Sequence, residues 1–269
     1  MTKLYTPQDR KEVLELIVCH AKLDNHIDGC ILVGSGAVGF TDQFSDIDIV
    51  MVLNDKMNVR DISEDWKEKV QSLLPVFSHV LSIRAEDVFL HNFLLNHYLE
   101  INMCFLKNCD LEARKSRWKV LFDNTNSLDQ KMVESWAKKQ TADNFKNYYQ
   151  DRIDAIWHYI MHVFVAFKRK RYWQAISDIE EIRNQTITLH GLRKGFETKR
   201  NREVDMMERG FLSGLEGTLV PKIEEATIKK AIGKVIDCFF EEALAAECEL
   251  DLDTAKPVKE KMTALLSIL

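Results

Sequence analysis

The sequence has little of what marks several specialised protein classes. Only four of its 269 residues are proline, and no segment is repeated or of low complexity. Its most apolar run, residues 155–167, is interrupted by His158 and His162 and is too short to cross a bilayer. The chain also starts without a basic segment followed by an apolar one. We therefore expect a globular cytoplasmic protein with no membrane partner.

Paired cysteines are also missing. The six cysteines are scattered, and the pair Cys104 and Cys109 has no second pair that would complete a zinc site. This pattern excludes a disulfide-stapled secreted scaffold and favours reduced, mostly buried thiols.

The sequence also has no excess of basic over acidic residues. The net charge is −5, and all of it lies in residues 1–125, which hold 14 Lys and Arg against 19 Asp and Glu. The remaining residues hold 23 of each sign. Nucleic-acid-binding proteins normally carry a basic face, so we expect no nucleic-acid partner. An acidic half instead suits a site for metal ions or for a cationic small molecule.

The periodicity of the apolar residues changes near residue 125. Before it, a helix begins at Thr6-Pro7, another covers residues 65–74, and strand patterns recur. The predicted strands cover residues 29–33, 46–53, 76–83, 88–95, 98–106 and 118–122. After residue 125, apolar residues recur at intervals of three and four, as in helices. The pattern predicts a mixed domain over residues 1–125 and a helical domain over residues 126–269.

One stretch, residues 33–53 (VGSGAVGFTDQFSDIDIVMVL), matches a dinucleotide-binding pattern, G-x-G-x-x-G, at Gly34, Gly36 and Gly39. Such a loop needs a crossover helix of about a dozen residues leading to a parallel strand. Only residues 40–45 separate Gly39 from the next strand. Six residues are too few, so we interpret the glycine match as accidental.

The same stretch carries two aspartates, Asp46 and Asp48, at the head of an apolar strand. Side chains two residues apart in a strand point to the same face, so the two carboxylates share one side. Such a pair is costly unless a cation compensates it, and Mg²⁺ favours hard oxygen ligands. Gly34-Ser35 offers backbone N–H groups and a hydroxyl suited to phosphate oxygens.

Gly34-Ser35, ten intervening residues and Asp46-Ile47-Asp48 together resemble the signature of the nucleotidyltransferase superfamily with the palm of DNA polymerase β type. In that superfamily a third carboxylate lies on a neighbouring strand. Glu100, in the alternating strand Tyr98–Phe105, is the residue here that the resemblance assigns to it. The resemblance implies an α+β fold: a palm with a mixed sheet and flanking helices, followed by an all-α helical bundle.

Further stretches narrow the resemblance to bacterial antibiotic nucleotidyltransferases, which include aminoglycoside adenylyltransferases and lincosamide nucleotidyltransferases. Residues 118–123 (WKVLFD) resemble the strand that closes their sheet, and residues 164–192 resemble their helical domain. The implied reaction moves a nucleoside monophosphate, AMP from ATP, to a hydroxyl group of a small molecule and releases pyrophosphate.

The resemblance also implies roles for individual residues. Asp46 and Asp48 would bind two Mg²⁺ ions, and Glu100 would complete the ion nearer the acceptor and take or relay its proton. Gly34 and Ser35 would hold the β- and γ-phosphates. Ser45 would either contact phosphate or cap the start of the strand.

Several alternatives stay open on the sequence alone. The acceptor could instead be a protein, or the chain could be a nucleotide-binding regulatory module of the same fold without turnover. The run Lys168–Arg171 either contacts phosphate or is a solvated helix end. A monomer and a homodimer both fit the sequence, and the acceptor is not identified.

Overall fold

The computed structural model describes residues 4–139, 142–250, 252 and 256–266. The chain divides into two compact units, Met1–Lys139 and Gln140–Leu269. Each unit has its own hydrophobic core.

The first unit is built on one six-stranded sheet. Its strand order is β3-β4-β5-β2-β1-β6. Strands β2 and β5 are parallel and all other neighbouring pairs are antiparallel, so the sheet is mixed, as the α+β prediction requires. The strands are β1 (Ile27–Val33), β2 (Ile47–Leu53), β3 (Val76–Ala85), β4 (Val88–Leu95), β5 (Glu100–Lys107) and β6 (Trp118–Asp123).

Helices α1 (Pro7–Lys22) and α2 (Val59–Leu73) cover one face of this sheet. α1 begins at the predicted Thr6, whose side chain accepts a hydrogen bond from the Asp9 amide while Asp9 bonds back to Thr6. α2 begins earlier than the sequence pattern predicts, because Asn58 caps it by accepting bonds from the next amides.

Helix α3 (Leu128–Lys139) covers part of the opposite face. Leu128 and Met132 are buried there, and burying each contributes about 1.5–3 kcal/mol. The approach to β1 is close: a Cβ at Gly29 would lie 2.2 Å from Leu128 Cδ1. This packing is why the first unit ends after Lys139, whereas the change of period in the sequence predicts a division near residue 125.

The connection from β1 to β2 is a short 3-10 helix (Gly34–Val38) followed by a loop. The two strands it joins are antiparallel, with Val33 opposite Asp48. A dinucleotide-binding unit requires parallel strands joined by a crossover helix. The structure therefore confirms that the G-x-G-x-x-G match is accidental.

In the described residues of the second unit every regular element is a helix, as the sequence predicts. Its core is formed by three long helices, whose buried apolar residues include Ile160, Ile179 and Phe239. None of the helices that the structure describes is long and apolar enough to span a membrane. The helices are α4 (Ala142–Lys168), α5 (Tyr172–Lys194), α6 (Arg209–Glu216), α7 (Glu225–Leu250) and α8 (Lys256–Leu266).

A buried ionic cluster ties α5 to α7 in this unit. His190 contacts two carboxylates, with Nδ1 2.8 Å from Glu242 and Nε2 2.9 Å from Glu208, and its ring stacks on Phe211. Arg193 donates two bonds to Glu242, at 2.7 and 2.8 Å. Burial by itself lowers the pKa of His190, but its bonds to Glu242 and Glu208 outweigh this effect and raise the pKa above its usual value.

A raised pKa in the folded state predicts the direction of the pH dependence. The stabilising contribution of His190 is complete below its unfolded pKa of about 6.5 and is lost as pH rises through the higher folded pKa. We expect the free energy of unfolding of the wild type to fall over this range more than that of His190→Gln. Denaturant unfolding from about pH 6 to about pH 9 measures this, since histidine titrates there.

His158→Gln in α4 is the matched control, because the His158 side chain is exposed. It should keep the pH profile of the wild type. A His190→Gln profile parallel to that of the wild type would contradict the assignment.

Candidate active site

The site begins with a row of polar side chains that crosses three strands. Asp48 on β2 lies opposite Asn102 on β5, and Asn102 lies opposite Asn92 on β4. Asn92 donates its side-chain N–H to the Asn102 oxygen. Asn102 in turn donates to Asp48 Oδ1 at 3.0 Å and to Asp46 Oδ2 at 3.4 Å. This chain of amides orients the carboxylate of Asp48.

The two predicted aspartates come together as the strand pattern indicates. Ile47 and Ile49, between and beyond them, are buried in the core on the other face of β2. Asp46 and Asp48 therefore share the face opposite that core. Both reach the same amide group of Asn102, which places their carboxylates beside each other.

A lysine that the sequence analysis did not identify completes the surroundings of Asp48. The ammonium of Lys115, just before β6, forms an ion pair with Asp48 Oδ2. Asp48 and Lys115 are both largely buried, with side-chain exposures of 14% and 29%. Each oxygen of Asp48 thus has a donor: Asn102 on Oδ1 and Lys115 on Oδ2.

Gly34 keeps the space beside Asp48 open. Its φ of +78° is one that L side chains rarely adopt, and a Cβ there would lie 3.1 Å from Asp48 Oδ2 and 2.9 Å from Lys115 Nζ. Ser35 follows as an exposed residue in the 3-10 helix. The predicted Gly-Ser pair therefore borders the carboxylates, with the serine side chain open to solvent.

Arg10 on α1 anchors the segment that leads into Asp46. Its side chain is 2% exposed, and its guanidinium donates to the carbonyl oxygens of Ser45 at 2.6 Å and Gln43 at 2.7 Å. It also donates to the carbonyl oxygen of Tyr5. A planar guanidinium can serve several carbonyls at once, which a lysine ammonium does less well. Arg10 therefore fixes the backbone immediately before the aspartates.

Ser45 is occupied by contacts within its own loop. Its amide and hydroxyl both donate to Asp42 Oδ1, at 2.9 and 3.1 Å, and the Phe44 amide donates at 2.7 Å. The bond from the Phe44 amide, with those from Ser45, lowers the pKa of Asp42. Of the two roles considered for Ser45, these bonds support capping of the turn before β2, and phosphate contact stays a prediction.

Glu100 lies at the start of β5, exposed to solvent. It is two residues before Asn102 and therefore on the same face as the aspartates, but the register places Asn102 rather than Glu100 opposite Asp48. No group of three or more His, Cys, Asp or Glu side chains that could hold a metal occurs in the described part of the chain. The role of Glu100 stays a prediction.

The residues present fit one divalent cation. Asp46 and Asp48 offer hard oxygen ligands on one face, and Gly34 leaves room beside them where a Cβ would intrude. Mg²⁺ commonly binds through one or two carboxylates, with water and substrate phosphates completing its shell. A second ion would need a further ligand, for which Glu100 is the sequence candidate.

Other sequence candidates lie in the helical unit. The run Lys168–Arg171 connects α4 to α5 and is exposed along its length. The rings of His158 and His162 are tilted by 51° with centroids 4.3 Å apart, and both residues are exposed. Neither group belongs to a metal cluster among the described residues.

Three residues of the site were missed at the level of sequence: Arg10, Asn102 and Lys115. Asn102 sits at an alternate position of the strand that supplied Glu100, so strand periodicity alone contains a signal for it. Arg10 is an arginine on a helix face that otherwise buries Val13, Leu14 and Ile17. Lys115 carries no local signal, because its partner is 67 residues away.

A mixed sheet that presents two aspartates beside a Gly-Ser turn defines a nucleotidyltransferase. More particularly, the chain belongs to the streptomycin adenylyltransferase family, whose family model matches residues 8–265. It is an enzyme of the adenylyltransferase type. No curated protein matches the sequence significantly.

Among solved structures, similarity is found to an aminoglycoside 6-adenyltransferase from Bacillus subtilis. The identity is 13% and the TM-score 0.44, over 97% of this chain and 99% of that one. The Cid1 poly(U) polymerase matches at 11% identity and a TM-score of 0.33, over 54% of this chain and 42% of that one. A cytoplasmic RNA terminal U-transferase matches at 11% identity and a TM-score of 0.31, over 60% of this chain and 42% of that one.

The anchoring role of Arg10 leads to a prediction. Arg10→Met removes the donor from several partly buried carbonyls and the polar partner of a buried site, so we expect it to lower the free energy of unfolding by roughly 3 kcal/mol. Arg10→Lys keeps the charge but not the planar geometry, and we expect it to fold better than Arg10→Met while transferring nucleotide more slowly than the wild type. Denaturant unfolding and transfer rates measure the two effects.

Lys11→Met, one residue on, is the matched control. Lys11 is exposed and makes only a long ion pair, 3.8 Å, with Glu15. It should leave both quantities near those of the wild type. If Arg10→Met were as stable and active as the control, the anchoring role would be wrong.

Proposed function

We propose that the enzyme transfers AMP from ATP to a hydroxyl group of an aminoglycoside, releasing pyrophosphate. The observation that carries this proposal is the pair of aspartates, Asp46 and Asp48, on one face of β2 beside Gly34-Ser35. Family membership supports adenylyl transfer, and the acidic first half of the chain suits a cationic acceptor.

In the proposed reaction, the acceptor oxygen forms a bond to the α-phosphorus. The bond from that phosphorus to the oxygen bridging to the β-phosphorus breaks, and pyrophosphate leaves. A divalent ion supplies positive charge that stabilises the phosphate oxygens as charge shifts between them. Asp46 and Asp48 bind that ion. Arg10 fixes the backbone before Asp46, and the Asn102 amide donates to both carboxylates.

Other roles in the proposal belong to neighbouring residues. Ser35 binds the β- and γ-phosphates through its hydroxyl and its amide, and Gly34 leaves the space for them, since its own amide donates to the Arg117 carbonyl. Glu100, exposed on the same face, accepts the proton of the acceptor hydroxyl and contributes to a second Mg²⁺ site. The cytoplasmic location and the oligomeric state stay predictions.

The aspartates are tested by isosteric substitution. Asp46→Asn and Asp48→Asn should each slow transfer roughly a hundredfold or more, because a metal ion stabilises the transition state by several kcal/mol. Both variants should keep the fold, since asparagine has the shape of aspartate. Transfer is measured with labelled ATP and Mg²⁺, and folding by circular dichroism.

Asp110→Asn is the control for these substitutions, because Asp110 is an exposed carboxylate just after β5, at the end of β2 opposite to Asp46 and Asp48. It should transfer at the wild-type rate. Wild-type transfer by Asp46→Asn or Asp48→Asn would overturn the metal assignment.

The acceptor is tested with a panel of streptomycin, other aminoglycosides, a lincosamide and a simple alcohol. With ATP and Mg²⁺, we expect one adenylyl group to appear by mass on an aminoglycoside hydroxyl, with one pyrophosphate released per transfer. Label found only on a protein would instead support the protein-modifying alternative. Tight ATP binding with no transfer to any acceptor would support a regulatory module.

A further inference from the structure

The contact between Lys115 and Asp48 is unusual for a site built to bind a divalent cation. Lys115 Nζ pairs with Asp48 Oδ2, which borders the space that Gly34 keeps open. Asn102 already occupies the other oxygen of Asp48. The ammonium therefore stands on the oxygen through which Asp48 would bind a metal.

If the Lys115 ammonium and a divalent ion both contacted this oxygen, their positive charges would repel each other. Two unit positive charges about 4 Å apart repel by roughly 4 kcal/mol at the effective dielectric typical of a protein surface, and a divalent ion repels more. Binding of the ion must therefore displace the ammonium or be weakened by it.

The chain around Lys115 limits where a displaced ammonium can go. Just after Lys115, the Arg117 carbonyl accepts a bond from the Gly34 amide at 3.0 Å and Trp118 pairs with Val33, so this segment is tied to the end of β1. Lysine has a flexible four-carbon stem, and its ammonium is a compact point charge suited to phosphate. Released from Asp48, it stays beside the Gly34-Ser35 turn.

We propose that Lys115 is a phosphate-binding residue for the nucleoside triphosphate and rests on Asp48 until metal and nucleotide arrive together. Paired in this way, it neutralises a carboxylate that is 14% exposed. When metal and nucleotide bind, Asp48 would ligate the metal and the Lys115 ammonium would move to the triphosphate. This inference rests on the proposed function, since it needs Asp48 as a ligand.

The proposal predicts opposite effects of one substitution on two affinities. Lys115→Met removes the competing charge, so Mn²⁺ alone, used as a probe for Mg²⁺, should bind about tenfold more tightly than to the wild type. Mn²⁺ with a non-hydrolysable ATP analogue should bind about tenfold more weakly, because a charged hydrogen bond to phosphate is lost. Electron paramagnetic resonance measures free Mn²⁺, and calorimetry measures the analogue.

Lys119→Met is the matched control. Lys119 lies on β6 and borders α1, on the face of the sheet opposite Asp48. It carries the same charge and is exposed, so its loss should change neither affinity. Lys115→Arg keeps the charge and should keep both affinities near wild-type values, and Lys115→Gln replaces Lys115→Met if that variant does not fold.

The outcomes separate this inference from the proposed function. If Mn²⁺ binds the wild type and Asp48→Asn abolishes that binding, the metal site stands. Should Lys115→Met then match the wild type in both affinities, or weaken both, only the role of Lys115 is overturned. Absence of Asp48-dependent Mn²⁺ binding in the wild type, both alone and with the ATP analogue, would overturn both.

Discussion

The site depends on the repulsion between two carboxylates that one strand holds on a single face. Asp46 immediately precedes β2 and Asp48 is its second residue, so the extended backbone keeps the two carboxylates on one side. In a partly buried position such a pair is costly unless positive charge or hydrogen-bond donors face it. The Asn102 amide faces both carboxylates, and the Lys115 ammonium faces Asp48.

This electrostatic demand explains why distant parts of the first unit converge here. β5 brings Asn102 to β2 as a parallel neighbour, and the residues before β6 bring Lys115. α1 brings Arg10, whose guanidinium holds the backbone before Asp46. Each residue is tied to a different element of the sheet or to the helix on its face. The site is therefore as rigid as the packing of the unit that carries it.

Much of the fold follows from local patterns. The six strands, the capped start of α1 and the helical second unit were all predicted, because apolar periodicity and capping residues act over a few positions. The position of the boundary between the units was harder to predict. The sequence pattern of α3 is that of a helix, like those of the second unit, but α3 packs on the sheet of the first unit through Leu128 and Met132. The surface that an amphipathic helix covers is decided by tertiary packing and not by its local sequence pattern.

The sequence by itself determined that Asp46 and Asp48 share a face and that six residues after Gly39 cannot form a crossover helix. Both follow from chain geometry within a few residues. Only the tertiary structure decided that Asn102 faces Asp48. Glu100 and Asn102 lie on the same face of β5, so alternation cannot choose between them, whereas the register of two strands 54 residues apart does. Lys115 and Arg10 meet the site only because β6 and α1 flank β1 and the β1–β2 connection.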